Sequence, residues 1–223
     1  MAAANIIQLR ELLREKFPGF SGQVLEHQLR SPNVWPSRLE QIDALLHGGL
    51  PKGSLSEIVC ARPGSGSASL MRWLLERAAE GTRFAALIDG ADSFDVTQAS
   101  ETALARLLWV RCRSAGEALK AADLLLRDGN VPFVLLDLVL NSKAQLRTIP
   151  PTVWYRFQRI LEQTSTVCAV FTPSAMVGPA QARLALNSRF SLNALENTPD
   201  DSLRKLEVSE GRRLRELAHQ NFA

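Results

Sequence analysis

The stretch Glu57–Ala78, EIVCARPGSGSASLMRWLLERA, decides the fold. Its first residues complete an apolar run, SLSEIVC (Ser54–Cys60), which reads as a core strand. A glycine-rich loop follows over Ala61–Ala68, and a helix is expected from about Ser69 to Glu80. Strand, glycine loop and helix in direct succession form the setting of a phosphate-binding loop. Such a loop works because successive backbone N–H groups point inward while the helix N-terminus adds partial positive charge.

Set against the pattern G-x-x-x-x-G-K-[ST], the loop is incomplete. Ala61 replaces the opening glycine, Ser67 the lysine and Ala68 the hydroxyl residue. The cation that stabilises a transferring phosphoryl group and the oxygen that holds magnesium are both missing. Gly64, Ser65, Gly66 and Ser67 still suggest a vestigial cradle for ATP or ADP, with Arg62 reaching a phosphate from the other side. The alternative is a structural turn that has kept its shape.

Outward from this stretch, strands alternate with helices. FAALID (Phe84–Asp89), LWVR (Leu108–Arg111), FVLLDL (Phe133–Leu138) and VCAVF (Val167–Phe171) read as further strands. Helices are expected over residues 38–46, 97–107, 115–128 and 153–162. FVLLDL is a nearly continuous apolar run, as a strand buried on both faces requires. Arg189–Leu192 and Lys205–Val208 are expected to form antiparallel edge strands. The alternation predicts an α/β, doubly wound, mainly parallel sheet flanked by helices. An N-terminal helix and connector (1–34), a core domain (35–200) and a C-terminal edge strand with basic helix (201–223) are expected.

Composition narrows the class. The chain has 223 residues, 46% hydrophobic and 22% charged, and a net charge of +3. That permits nucleic acid as a partner without demanding it, since binding needs clustered Lys and Arg. Cys60, Cys112 and Cys168 are odd in number and widely spaced, so buried thiols are expected. His27, His47 and His219 show no ligand pattern. No apolar run approaches the roughly 20 residues of a membrane span, and the first residues lack a secretion signal. A cytoplasmic protein is expected.

The order of elements resembles the RecA recombinase family over about residues 35–195. Gly48, Gly49, Leu50, Pro51, Gly53 and Glu57, in SRLEQIDALLHGGLPKGSLSEIVC, match that family's lead-in to the phosphate loop. LIDGADSFD resembles its second-strand motif, with Asp89 and Asp95 in place but Ala91 where the catalytic glutamate stands. Asp92 comes one residue late and should point elsewhere. Asp137, closing FVLLD, matches the acid that holds the magnesium-bound water. Such an acid can equally cap its own loop.

LARLLWVRCRSAGEALKAADLLLRDGNVPFVLLDL is similar to the ImuA family, RecA-like accessory proteins of bacterial damage-inducible mutagenesis cassettes, with SulA-like relatives. That resemblance implies translesion synthesis alongside an ImuB-type Y-family polymerase homologue and an error-prone C-family polymerase. It also implies contact with RecA or self-association. With lysine, hydroxyl and base all missing, it points to a non-hydrolytic scaffold. Alternatives are an active DNA-dependent ATPase or recombinase, and a regulator binding a partner outside repair.

Loops after the fourth and fifth strands face DNA in RecA-like proteins; here they fall at residues 141–151 and 172–182. Lys143 and Arg147 are the only cations in them, so direct DNA binding is expected to be weak and salt-sensitive. Trp154, beside the first loop, is a base-stacking candidate, whereas Trp109 is expected in the core. Partner docking is expected at the ends. Ile6, Leu9, Leu12 and Leu13 form an apolar stripe, and Arg212, Arg213 and Arg215 flank Leu214 and Leu217.

Overall fold

In the computed structural model, residues 33–62, 64–81, 83–189, 203 and 205–210 are described. The expected terminal helices, with Leu9, Leu12, Leu13, Arg212, Arg213 and Arg215, lie outside them.

The protein is α/β, built on a seven-stranded, mostly parallel sheet. The strands are β3 (Ser54–Val59), β4 (Ala85–Asp89), β5 (Leu107–Arg111), β6 (Phe133–Asp137), β7 (Val167–Thr172), β8 (Ala182–Leu186) and β9 (Val208–Glu210). Their spatial order is β5-β4-β6-β7-β3-β8-β9, and only β9 runs antiparallel, against β8. A separate two-stranded ribbon pairs β1 (Val34–Trp35) with β2 (Leu50–Pro51).

The four central strands are buried on both faces, which is why β4, β6 and β7 read as nearly unbroken apolar runs, while β3 carries Ser54, Ser56 and Glu57 among its apolar residues. Successive residues feed two cores. Leu87, Leu135 and Ala169 face one side with α2 (Ser67–Glu80). Ile88, Leu136 and Val170 face the other, against α4 (Ala115–Asp128) and α6 (Pro151–Leu161). Buried residues of α4 recur at Ala115, Ala118, Ala122 and Leu126, the helical period. Ser114 caps its start and Gly129, at φ 70°, ends it. Pro151 at the first helical position of α6 costs no hydrogen bond there.

Three expectations fail. Residues 97–107 hold a 3-10 turn, Val96–Gln98, and a one-turn helix, α3 (Glu101–Leu104). Asp95 and Ser100 each cap a separate start, which splits the apolar pattern. Residues 141–151 are not a plain loop: α5 (Lys143–Arg147) starts on the Ser142 cap. Of the two expected edge strands, Arg189–Leu192 falls outside the described residues but for Arg189, and Lys205–Val208 is displaced. Ala182–Leu186 is a strand parallel to β3, and β9 begins at Val208. The sequence hid β8 because Arg183 breaks its apolar run, although that arginine is buried.

Candidate functional site

The loop after β3 begins where the Cys60 amide donates to the Thr172 carbonyl at 2.7 Å. Gly64 and Gly66 have φ of 72° and 97°, in the left-handed region that a β-carbon disfavours. Gly66 is the N-cap of α2, with no side chain capping it, so the helix starts at Ser67, two residues earlier than expected. Two left-handed glycines lead into the 14-residue helix, whose free N-terminal amides are a place where an anion can be held.

The side chains nearest the loop are mainly thiol and hydroxyl groups. Ser65 is buried, and its Oγ has no partner in hydrogen-bonding geometry. Burial first, and then the charge of Asp137, push the Cys60 thiol up to about 12; the neighbouring Ser65 and Ser67 hydroxyls act in the opposite direction. Cys60, Ser65, Ser67 and Asp137 therefore meet at the carboxyl end of the sheet. Arg62 is exposed, and its guanidinium donates to the Asn187 carbonyl beyond β8 at 3.3 Å.

Two carboxylates end adjacent strands in register, Asp89 on β4 and Asp137 on β6. Burial pushes the Asp137 carboxyl up to about 6; a hydrogen bond from the Val139 amide opposes this and the charge of Asp89 adds to it. That amide lies 2.9 Å from Asp137 Oδ1. So Asp137 caps its own loop. Asp89 is spent in the same way, accepting from the Ser93 and Phe94 amides, both at 2.8 Å.

Between these strands the chain turns in opposite directions, β4 leading to β5 and β6 to β7. Such a switch point usually opens a ligand crevice. Here Asn141 fills it, donating from Nδ2 to the Gly90 carbonyl at 2.7 Å and to Gln145 Oε1 at 3.1 Å. A β-carbon on Gly90 would stand 2.4 Å from Asn141 Oδ1 and 2.6 Å from the Asp137 carbonyl oxygen. Glycine there is what lets the plug seat.

The donor set does not fit magnesium nucleotide. Position 67 offers no cation, position 68 no oxygen, and the remaining acid is raised and committed to Val139. Among the described residues, no group of three or more His, Cys, Asp and Glu side chains is placed to hold a metal ion. Ala91 supplies no base. Asp92, at φ 53°, pairs with Arg111 through Nε at 2.6 Å and Nη2 at 2.9 Å, so it does point elsewhere.

The remaining candidates scatter. Lys143 and Arg147 are exposed on α5. Trp154 is a correction: it is 1% exposed, edge-to-face with Phe157 in the core beneath α6, so no base can stack on it. An amphipathic helix puts this ring on its inward side, which position beside a loop does not reveal. Trp109 is only half-buried, because β5 is an edge strand rather than a central one. All three cysteines are buried thiols, as expected.

The residue missed from the sequence is Arg183. It is 6% exposed and pairs through Nε with Glu57 Oε2 at 2.5 Å, while its Nη2 donates to the Val177 carbonyl at 2.8 Å. Glu57 Oε1 accepts from Thr172 Oγ1, Met176 N and Val177 N at 3.0, 2.7 and 3.1 Å. This buried pair fixes the loop after β7 against β3 and β8. Its sequence signal was an isolated charge inside each of two apolar runs.

The structure defines a class: an α/β protein with a seven-stranded, mostly parallel sheet flanked by helices, in which a glycine-containing loop leads from β3 into α2. No family model matches the chain, and no curated protein matches it. Among the described residues, no helix is long and apolar enough to cross a membrane.

Proposed function

We propose that this chain is a non-hydrolytic, RecA-like accessory protein of the bacterial DNA damage response. It scaffolds translesion-synthesis proteins in the cytoplasm. One observation carries the reading: the Gly64–Gly66 cradle keeps its geometry while positions 67, 68 and 91 bear no group that moves a phosphate. The parallel sheet, the lead-in pattern ending at Glu57 and the LLWVR–EAL segment support the family. The partners follow from that resemblance: an ImuB-type Y-family polymerase homologue and an error-prone C-family polymerase, with RecA or self-association in addition. DNA contact is weak or indirect, because Lys143 and Arg147 stand alone in their loop and Trp154 is in the core.

A working ATPase of the same family would need a cation at the phosphates. Arg62 is the nearest candidate by sequence, and it is engaged with Asn187. A regulator outside repair would share the fold and differ in its partner.

Titration with ATP and ADP, together with a turnover assay, tests the reading, with Gly66→Arg as a blocked-loop control. No turnover above background is expected from either form. Micromolar binding and turnover in the parent, both lost in the control, would overturn the scaffold. Co-purification with the polymerase homologue, abolished by deleting residues 209–223, is the expected positive result.

A further inference from the structure

Charge is spread unevenly along the second half of the chain. From Leu138 to Leu161 the sequence carries Lys143, Arg147, Arg156 and Arg159 and no acid, and from Gln163 to Ala182 it carries no charge at all. Within these stretches, the turn after β6, α5, the first turns of α6 and the loop after β7 stand at the carboxyl end of the sheet. Two cations of the run lie elsewhere or are engaged. Arg159 is near the far end of α6, and Arg156 pairs with Asp123 of α4 at 2.9 Å. Lys143 and Arg147 remain, both exposed, four residues apart and so on one face of α5.

Two large apolar side chains stand in the same region, Leu140 at 63% exposed and Tyr155 at 59%. Neither sits on a loose segment. The Asn141 amide donates to the Leu138 carbonyl at 3.3 Å, closing a turn with Leu140 at its corner, and the Asn141 side chain ties that turn to Gly90. The Tyr155 ring lies against Gly178, where a β-carbon would stand 3.5 Å from the tyrosine hydroxyl. The loop carrying Gly178 is held in turn by Glu57, through the Met176 and Val177 amides. A surface held this firmly loses little freedom when a partner covers it. The acids of neighbouring elements are committed: Glu117 accepts from the Arg113 amide at 2.8 Å, and Asp123 holds both Arg127 and Arg156.

We propose that this face docks an acidic peptide segment of a partner protein, whose apolar side chains cover Leu140 and Tyr155 while its carboxylates meet Lys143 and Arg147. Charge complementarity selects the partner, because a cationic surface built from an acid-free run attracts acidic segments and repels basic ones. Leu140 and Tyr155 supply the apolar contact that charge alone lacks, since exposed ion pairs by themselves contribute little. A nucleic acid fits less well. Two cations meet at most a couple of phosphates, Leu140 has no ring to stack on a base, and the Tyr155 ring is partly covered by Gly178. The inference goes beyond the scaffold reading and does not depend on it: nucleotide turnover and peptide docking are measured separately and can fail separately.

A random-peptide display selection against the full chain tests this, followed by fluorescence anisotropy of the enriched peptides. They are expected to be acidic, with leucine or an aromatic residue among the carboxylates. Leu140→Ser should weaken their binding about tenfold or more, as should Lys143→Glu combined with Arg147→Glu. Leu124→Ser, at a position 70% exposed on α4, should leave binding unchanged. All the substituted side chains are exposed, and matching urea midpoints confirm that each variant keeps its fold. No enrichment, enriched peptides without an acidic bias, or binding indifferent to Leu140→Ser and to the charge reversal would each overturn the proposal. An oligothymidylate probe that bound more tightly than the peptides and displaced them would overturn it as well, and would make the face a nucleic-acid site.

Discussion

Two loops at the carboxyl end of the sheet are held in opposite ways. The loop after β3 has two left-handed glycines and is tied to the chain beyond β8 by a single exposed bond from Arg62 to the Asn187 carbonyl. The loop after β7 is clamped by a buried glutamate–arginine pair carrying five bonds between Glu57, Arg183, Thr172 and the backbone of residues 176 and 177. Backbone shape can persist after its chemistry has gone, since glycine in an open turn asks nothing of its neighbours. A buried ion pair cannot persist in part, because either member alone is a charge without water.

The comparison can be broken most strongly at the clamp. Arg183→Ala leaves Glu57 buried and unpaired, and should cost about 3–5 kcal/mol in urea unfolding. Replacing both together, as Glu57→Leu with Arg183→Met, should recover much of that loss. A double variant as unstable as the single one would show that the hydrogen bonds, not the charge, hold the loop.

Next in size is Asp137, at the end of β6, the strand beside β7. Folding raises this carboxyl from 3.8 to about 6, so the folded chain keeps a proton that the unfolded chain releases. Its contribution is greatest below pH 4 and is lost as pH rises through 6, a fall of up to about 3 kcal/mol. Asp137→Asn should flatten that slope and stabilise the protein at pH 8, measured by urea midpoints across pH. The asparagine oxygen still accepts from Val139.

The smallest effect belongs to the glycine loop. Gly64→Ala meets nothing within 4 Å, so only the φ of 72° opposes it. A loss of about 1 kcal/mol is expected by thermal unfolding. A much larger loss would mean that the loop carries more of the fold than its sparse partners indicate.

Much of this architecture was legible in the sequence, and the reasons differ by region. α4 was read at its true limits because Ser114, Gly129 and a helical apolar period agree with one another. The central strands β4, β6 and β7 declared themselves by apolar runs. β8 did not, because the arginine that breaks its pattern is satisfied by a glutamate 126 residues away. The missing groups at 67, 68 and 91 could be read directly, since a side chain that is not encoded needs no structure to reveal it. The commitment of Asp137 to Val139 and the seating of Asn141 over Gly90 could not, because both depend on strands meeting in register.

The three buried thiols give the molecule an internal clock. Cys60 and Cys168 sit in or beside central strands, with thiols pushed to about 12, whereas Cys112 follows the edge strand β5. An alkylating reagent reaches each sulfur only when its surroundings open, so the order of modification records the order in which the sheet comes apart. Fraying from the β5 side would mark Cys112 first, while whole-molecule unfolding would mark all three together.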